Sequence, residues 1–465
     1  MSSSRSALQR QNEATALITS GHVWKAVWYL AWPTAINTTI MAAYTLINRL
    51  FLSHLRNAEP SLAASGIGGN TLMLQFAIVI GLSAGTSALV SRSMGARDAK
   101  GAEQAARQSF VLAILAGAVT GLPLMLYARP LIGLVCAKPA LVPLAAVYAS
   151  IISLSSIPMF VNMTALSILR SQGDARSPLY SGMAVVSVNV LLDWLLIFGF
   201  WQVPAMGIRG AAVATVVSRV VGMTISLALL RRSMLGGSLT RWRIDVTWLG
   251  RILGIGWPAS MQSLLMTTSS LGFMWVLSLL PARDATTAIA AYSAALAIEA
   301  IAFQPGIAFS TAATPLVGQN LGAGKPERAV HSAWVATGQA AAIMGLVGAM
   351  FVVMPQYLAR PFGHRKLALV TVIASYLRIN SFSEPFLALN MVLRGALQGA
   401  GETRFPAIVT FATMWLVRLP LAWLLAIHLR MGADGAWWAM SLTCCLSGAL
   451  MALWFRFGNW RETRV

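Results

Sequence analysis

Two stretches of this chain decide how it is built: VSRSMGARDAKGA at 90–102 and VGQNLGAGKPERA at 317–329. They stand 227 residues apart and share the opening valine, a glycine–alanine pair and the closing alanine. Three more pairs keep the same order at nearly the same offset. Trp32-Pro33 matches Trp257-Pro258 at 225, GDARSP (173–178) matches GETRFP (401–406) at 228, and GIRGAA (207–212) matches GADGAW (432–437) at 225. One such match means little. Four in order imply that the chain is a duplication.

Composition says what was duplicated. Of 465 residues, 57% are hydrophobic and only 10% are charged, with a mean hydropathy of +0.69. A soluble chain of this length needs far more charge to cover its domains. Apolar runs of about 20 residues recur, each long enough to cross about 30 Å of hydrocarbon. They predict spans near 26–50, 62–90, 108–128, 141–166, 179–200, 209–230, 250–280, 288–317, 332–354, 367–393, 406–428 and 434–456. The expected fold is an all-α polytopic membrane protein of twelve transmembrane helices in two six-helix lobes. The segments are a cytoplasmic tail (1–25), an N-terminal lobe (26–240) and a C-terminal lobe (241–465).

The net charge of +20 does not point to nucleic acid, because Lys and Arg fall in short clusters between apolar runs and form no basic face. The tail and even-numbered loops hold 21 basic residues and the odd-numbered loops 10; Arg219, Arg378 and Arg418 fall inside spans. Basic residues stay inside, so both termini are expected in the cytoplasm of a bacterial inner membrane. Six helices per repeat give both lobes the same orientation. They are then expected to be related by an axis along the membrane normal, with substrate between them near the midplane. Cys136, Cys444 and Cys445 form no pairing or metal framework.

Intramembrane acids are costly and usually functional. Asp193 lies within NVLLDWLLIF with Asn189 one turn before it, on the same helical face. With Asn48 they can form an oxygen-rich cation or proton site; alternatively, Asp193 pairs with a polar group of the first helix such as Arg49. Glu299 has no basic residue within a turn. It either holds a transferable proton, binds a cationic substrate, or bridges to Arg378 or Arg418. Glu384, before Pro385, and Gln304 are candidates for the substrate cavity. Pro33 and Pro305 interrupt apolar helices, and each is either a hinge or a fixed kink. Gly81-x-x-x-Gly85 and Gly117-x-x-x-Gly121 are spacings for close helix packing. Gly322-Ala323-Gly324-Lys325 lacks the flanking residues of a phosphate loop and reads as a helix-ending turn. No nucleotide-binding module is expected.

The motifs SALVSRSMGA (87–96), ATPLVGQNLGAGK (313–325), LRSQGDARSP (169–178), NVLLDWLLIFG (189–199), GIRGAAVAT (207–215) and LQGAGETRFP (397–406), with Pro33, resemble the multidrug and toxic compound extrusion family, within it the DinF-like branch. The similarity runs from about residue 28 to 454. It implies a proton- or sodium-coupled antiporter that exports amphipathic, cationic organic compounds by alternating access. It implies no enzyme activity and no cofactor beyond the coupling cation. The expected partners are the bilayer, a small-molecule substrate and that cation, with the chain monomeric. The resemblance also strengthens the Asn189–Asp193 assignment. One position departs: many prokaryotic members of that family carry an aspartate about fifteen residues after the first-helix proline, where this chain has Asn48. The alternatives are a flippase or exporter of a lipid-linked or metabolite substrate, which would want more cationic groups in its cavity, and a lipid-acting membrane enzyme. The five histidines are scattered and give such an enzyme no cluster. A repeated, proline-broken two-lobe chain also suits alternating access better than a channel.

Overall fold

A computed structural model describes residues 13–55, 58–71, 73–135, 138–200, 204–240, 243–363 and 367–463. Hydrocarbon offers no partner for a backbone N–H or C=O, so the chain satisfies both within helices. A short helix α1 (13–20) precedes α2 (Val23–Ser53), and α3 (Ala58–Thr71) leads into α4 (Met73–Gly95). Then come α5 (Ala99–Leu126), the short α6 (Ala128–Val135), α7 (Val142–Ser153), α8 (Ser156–Ser171), α9 (Arg176–Phe198) and α10 (Ile208–Arg231). The second half repeats the plan with α11 (Val246–Ser278), α12 (Ala282–Gly322), α13 (Pro326–Val353), the short α14 (Pro355–Gly363), α15 (Leu367–Ser381), α16 (Glu384–Ala400), α17 (Arg404–His428) and α18 (Gly432–Phe457).

Among the described residues, eight helices are individually long and apolar enough to cross a membrane, and the pair Pro139–Ser153 and Ser156–Ser171, bent by 47°, makes a ninth. The 31-residue α2, the 33-residue α11 and the α15–α16 pair, broken at 382–383, complete twelve crossings. Leu191, Trp275, Ile301 and Leu346 are all more than half exposed, as side chains facing lipid would be. Several helices overrun their expected spans. At 41 residues, α12 is about 60 Å long at 1.5 Å per residue.

The duplication extends to individual turns. The helix ending at Gly95 is closed by Asp98 N donating to Ser93 O, and the one ending at Gly322 by Lys325 N donating to Asn320 O, 227 residues on. The left-handed residue is Arg97 in the first copy (φ 59°) and Gly324 in the second (φ 69°). This is the helix-ending turn read from the sequence, met once by glycine and once under strain. Gly173 (φ 86°) and Gly401 (φ 85°) are likewise paired, and Asp174 and Glu402 then accept the first backbone N–H groups of α9 and α17.

The chain forms two compact units, and their division differs from the expected one at 240/241. One comprises Ile36–Ser260 with residues 13–17; the other comprises Ile18–Ala35 and Met261–Val465. Of the three changes of unit along the chain, the two after residues 35 and 260 fall two residues after a proline of the repeat, Pro33 in α2 and Pro258 in α11. The reason is local packing. In the first unit the start of α11 lies against α4: a Cβ on Gly81 would meet Gly256 O at 2.3 Å, and one on Gly85 would meet Ile252 O at 2.4 Å. In the second unit Asn320 Nδ2 donates to Ile18 O, and Trp28 stands edge-on to Phe309 with centroids 5.7 Å apart. Neither Pro33 nor Pro305 breaks its helix; α2 and α12 run through them. Gly117 and Gly121 of α5 meet Ile157 and Ser156, also a packing role. Two widened π segments, 412–418 and 424–428, flank Pro420 in α17. Proline removes an amide and crowds the preceding carbonyl, and a wider turn accommodates both.

Glycine contacts of this kind set a stability test. A Cβ on Gly399 of α16 would sit 2.1 Å from Thr314 O of α12, a backbone atom that cannot step aside, whereas one on Gly338 meets nothing within 4 Å. Gly399→Ala is expected to cost about 1–3 kcal/mol and lower the thermal unfolding midpoint. Gly338→Ala, within α13, should not lower it.

Candidate functional site

In the first unit, α9 carries Asn189 and Asp193 one turn apart and buries both, at 2% and 0% exposure. Asn48 of α2 donates from Nδ2 to Asp193 Oδ2 at 2.9 Å, and Asn189 Nδ2 donates to Ser218 Oγ of α10 at 2.8 Å. That leaves Asp193 Oδ1 and Asn189 Oδ1, one turn apart on the same helix, without a hydrogen-bond partner. Two unsatisfied oxygens, one of them a carboxylate's, can take a proton or a small hard cation. The three residues singled out in the sequence are therefore brought together, although Asn48 contributes its amide nitrogen. The side chain of Arg49, the alternative partner for Asp193, lies outside the described residues.

Two adjoining spaces open beside this cluster, of about 540 and about 380 Å³. Tyr44, Thr45, Phe76, Thr215 and Arg219 line both. Arg219 of α10 donates from Nη1 to Ser155 Oγ at 2.7 Å. Gly182 lets Asn37 approach α9, since a Cβ there would fall 1.9 Å from Asn37 Oδ1.

In the second unit, Glu299 of α12 is 3% exposed, and its Oε2 accepts from Tyr376 Oη of α15 at 2.8 Å. Tyr376 is held by aromatic packing, its ring 4.9 Å from that of Trp437, which stacks on Tyr292 at 6.1 Å. Glu384 is the first residue of α16 after the break, where the helix dipole favours a negative charge. Its Oε2 has no partner. Glu299, Glu384, Arg394 and Arg418 line one cavity of about 320 Å³ with Met266, Met391, Met414 and Met440. Methionine walls adapt to ligands of differing shape.

Neither ion pair expected of Glu299, with Arg378 or with Arg418, forms. Among the described side chains, none of Asp193, Glu299 and Glu384 has a basic nitrogen within 4 Å. Arg378 is exposed, and Arg418 Nε donates to Thr443 Oγ1 at 2.9 Å. Gln304 bonds the carbonyl of Ala300 in its own helix and is not among the residues lining the cavity. Arg170 and Arg394 depart from the sequence reading in the other direction. Counted there as loop cations, they lie inside α8 and α16, on cavity walls. Each precedes the glycine turn that ends its helix region, Gly173 or Gly401, and that was the signal available for placing them on helices.

The MatE family model matches residues 33–195 and 258–424, one copy over each half of the chain. The chain belongs to the MatE family. As a MatE protein it is a multi-pass membrane transporter, not an enzyme. It is 26% identical to the Probable multidrug resistance protein NorM of Thermotoga maritima over 447 residues, covering 94% of this chain and 93% of that one. It is 28% identical to the Multidrug resistance protein NorM of Burkholderia vietnamiensis, covering 91% of each. Its fold matches the outward-facing conformation of a multidrug resistance MATE family transporter of the MOP superfamily, with a TM-score of 0.88 at 23% identity over 97% of this chain and 99% of that one.

The Asn48–Asp193 hydrogen bond is testable as a unit. Asn48→Leu strips a buried carboxyl of its donor and should cost about 1–3 kcal/mol. Asn48→Leu combined with Asp193→Leu should recover most of that loss, because neither polar group then remains. Thermal unfolding of both single variants and the double variant gives the coupling.

Proposed function

We propose that this MatE protein is an ion-coupled antiporter that exports amphipathic organic compounds by alternating access, with both termini in the cytoplasm of a bacterial inner membrane. One observation carries the reading: each unit buries a carboxyl that meets a neutral donor and, among the described residues, no cation, Asp193 with Asn48 and Glu299 with Tyr376. A structural carboxylate at such a depth would be expected to have an ionic partner. A coupling carboxyl must instead be able to exchange its proton or sodium ion as the lobe opens to water. Substrate binding that favours the cation-free state gives antiport by linkage, because each ligand weakens the other's binding. The relatives' names as multidrug resistance proteins support drug-like substrates. Glu299 and Glu384 share their cavity with Arg394 and Arg418, so this cavity offers both charges to a substrate.

Asp193→Asn and Glu299→Gln keep the size of each side chain and remove its charge chemistry. In proteoliposomes with an imposed proton or sodium gradient, at least one is expected to lower gradient-driven efflux tenfold or more while the protein still folds. Parental efflux from both single variants and the double variant would overturn the carboxyl mechanism.

A further inference from the structure

The lining of the first unit's cavities is one-sided in charge. Among the described residues, no acidic side chain lines either space. The charged groups that do are guanidiniums, Arg219 in both and Arg170 in the smaller one. Asp193, the nearby acid, is fully buried and lines neither; Asn48, its donor, does line the larger space and covers it with a neutral amide. Arg219 is engaged by a single neutral acceptor among the described residues, Ser155 Oγ. A guanidinium has five N–H donors in a planar fork suited to two acceptor oxygens. Set in a low-dielectric wall where no described acid lines the space, it attracts an anion more strongly than it would at a water-exposed surface. The surrounding surface supplies Phe76, Tyr44 and Met159 for an apolar body. The volumes suit a drug-sized molecule and are too small for a two-chain lipid.

We propose that this chamber binds an amphipathic organic acid, its carboxylate or sulfonate held by Arg219, so that the first unit selects anionic groups. The inference rests on the transporter reading above and adds a substrate class to it. Asn48 is central to it. An aspartate there would put a carboxylate on the cavity wall, whereas asparagine leaves the described lining net positive.

The test is equilibrium binding in phosphatidylcholine nanodiscs, read by fluorescence anisotropy without any ion gradient. Two flat three-ring probes of opposite charge are compared: anthracene-9-carboxylate and 9-aminoacridine. The parent protein is expected to bind the carboxylate more tightly. Arg219→Gln should weaken that binding roughly tenfold or more, the effect of losing one charged hydrogen bond, without weakening 9-aminoacridine. Asn48→Asp should shift preference towards the cation, and this arm decides the matter if the arginine variant does not fold. A parental preference for 9-aminoacridine, or unchanged carboxylate affinity in folded Arg219→Gln, overturns the proposal. So does loss of carboxylate binding when phosphatidylglycerol is added to the discs, which would make the chamber a lipid site. Parental gradient-driven flux in the Asp193→Asn, Glu299→Gln double variant, with anion binding intact, would count against the coupling reading alone, so the two failures are distinguishable.

Discussion

A charge in hydrocarbon has no water to stabilise it, and every part of this molecule that bears on function follows from how that cost is met. The backbone meets it with helices. Close helix contact then depends on glycine, because van der Waals packing replaces the hydrophobic drive between helices in lipid. The same cost makes Asp193 and Glu299 informative. Each has been kept in a nearly solvent-free position, and each is supported by one neutral donor, an amide in one unit and a phenol in the other. That support is enough to orient a carboxyl and too little to fix its charge.

Much of this was legible in the sequence. The repeat was visible because its turns carry their own chemistry: Gly173 and Gly401 occupy left-handed backbone, and Asp174 and Glu402 cap the helices that follow. A position that requires a particular φ or cap leaves a mark that survives divergence elsewhere. The unit boundary left no such mark. Whether the first turns of α2 and α11 pack with their own repeat or the other depends on tertiary contact, and the prolines at 33 and 258 indicate only where the change is possible.

The site was legible in part. Asn189 and Asp193 share a face by helical spacing alone, and an intramembrane acid needs no structure to be noticed. The partner of Glu299 was beyond reach: Tyr376 lies 77 residues away, and nothing near it marks it as a donor. Arg170 and Arg394 were assigned to loops because basic residues define loops in an orientation argument. The helices in fact run past the apolar spans and carry these cations onto cavity walls. Gln304 was a reasonable candidate beside Pro305, but its amide turns back to the carbonyl of Ala300.

The central claim is that carboxyls buried against neutral donors couple cation movement to substrate movement. Linkage requires that coupling be reciprocal. The most direct measurement therefore imposes no ion gradient: a substrate gradient is applied to proteoliposomes, and proton and sodium counterflow are followed. The account predicts cation movement opposite to substrate, lost when Asp193 and Glu299 are both replaced by their amides. Substrate flux with no accompanying movement of either cation would contradict it.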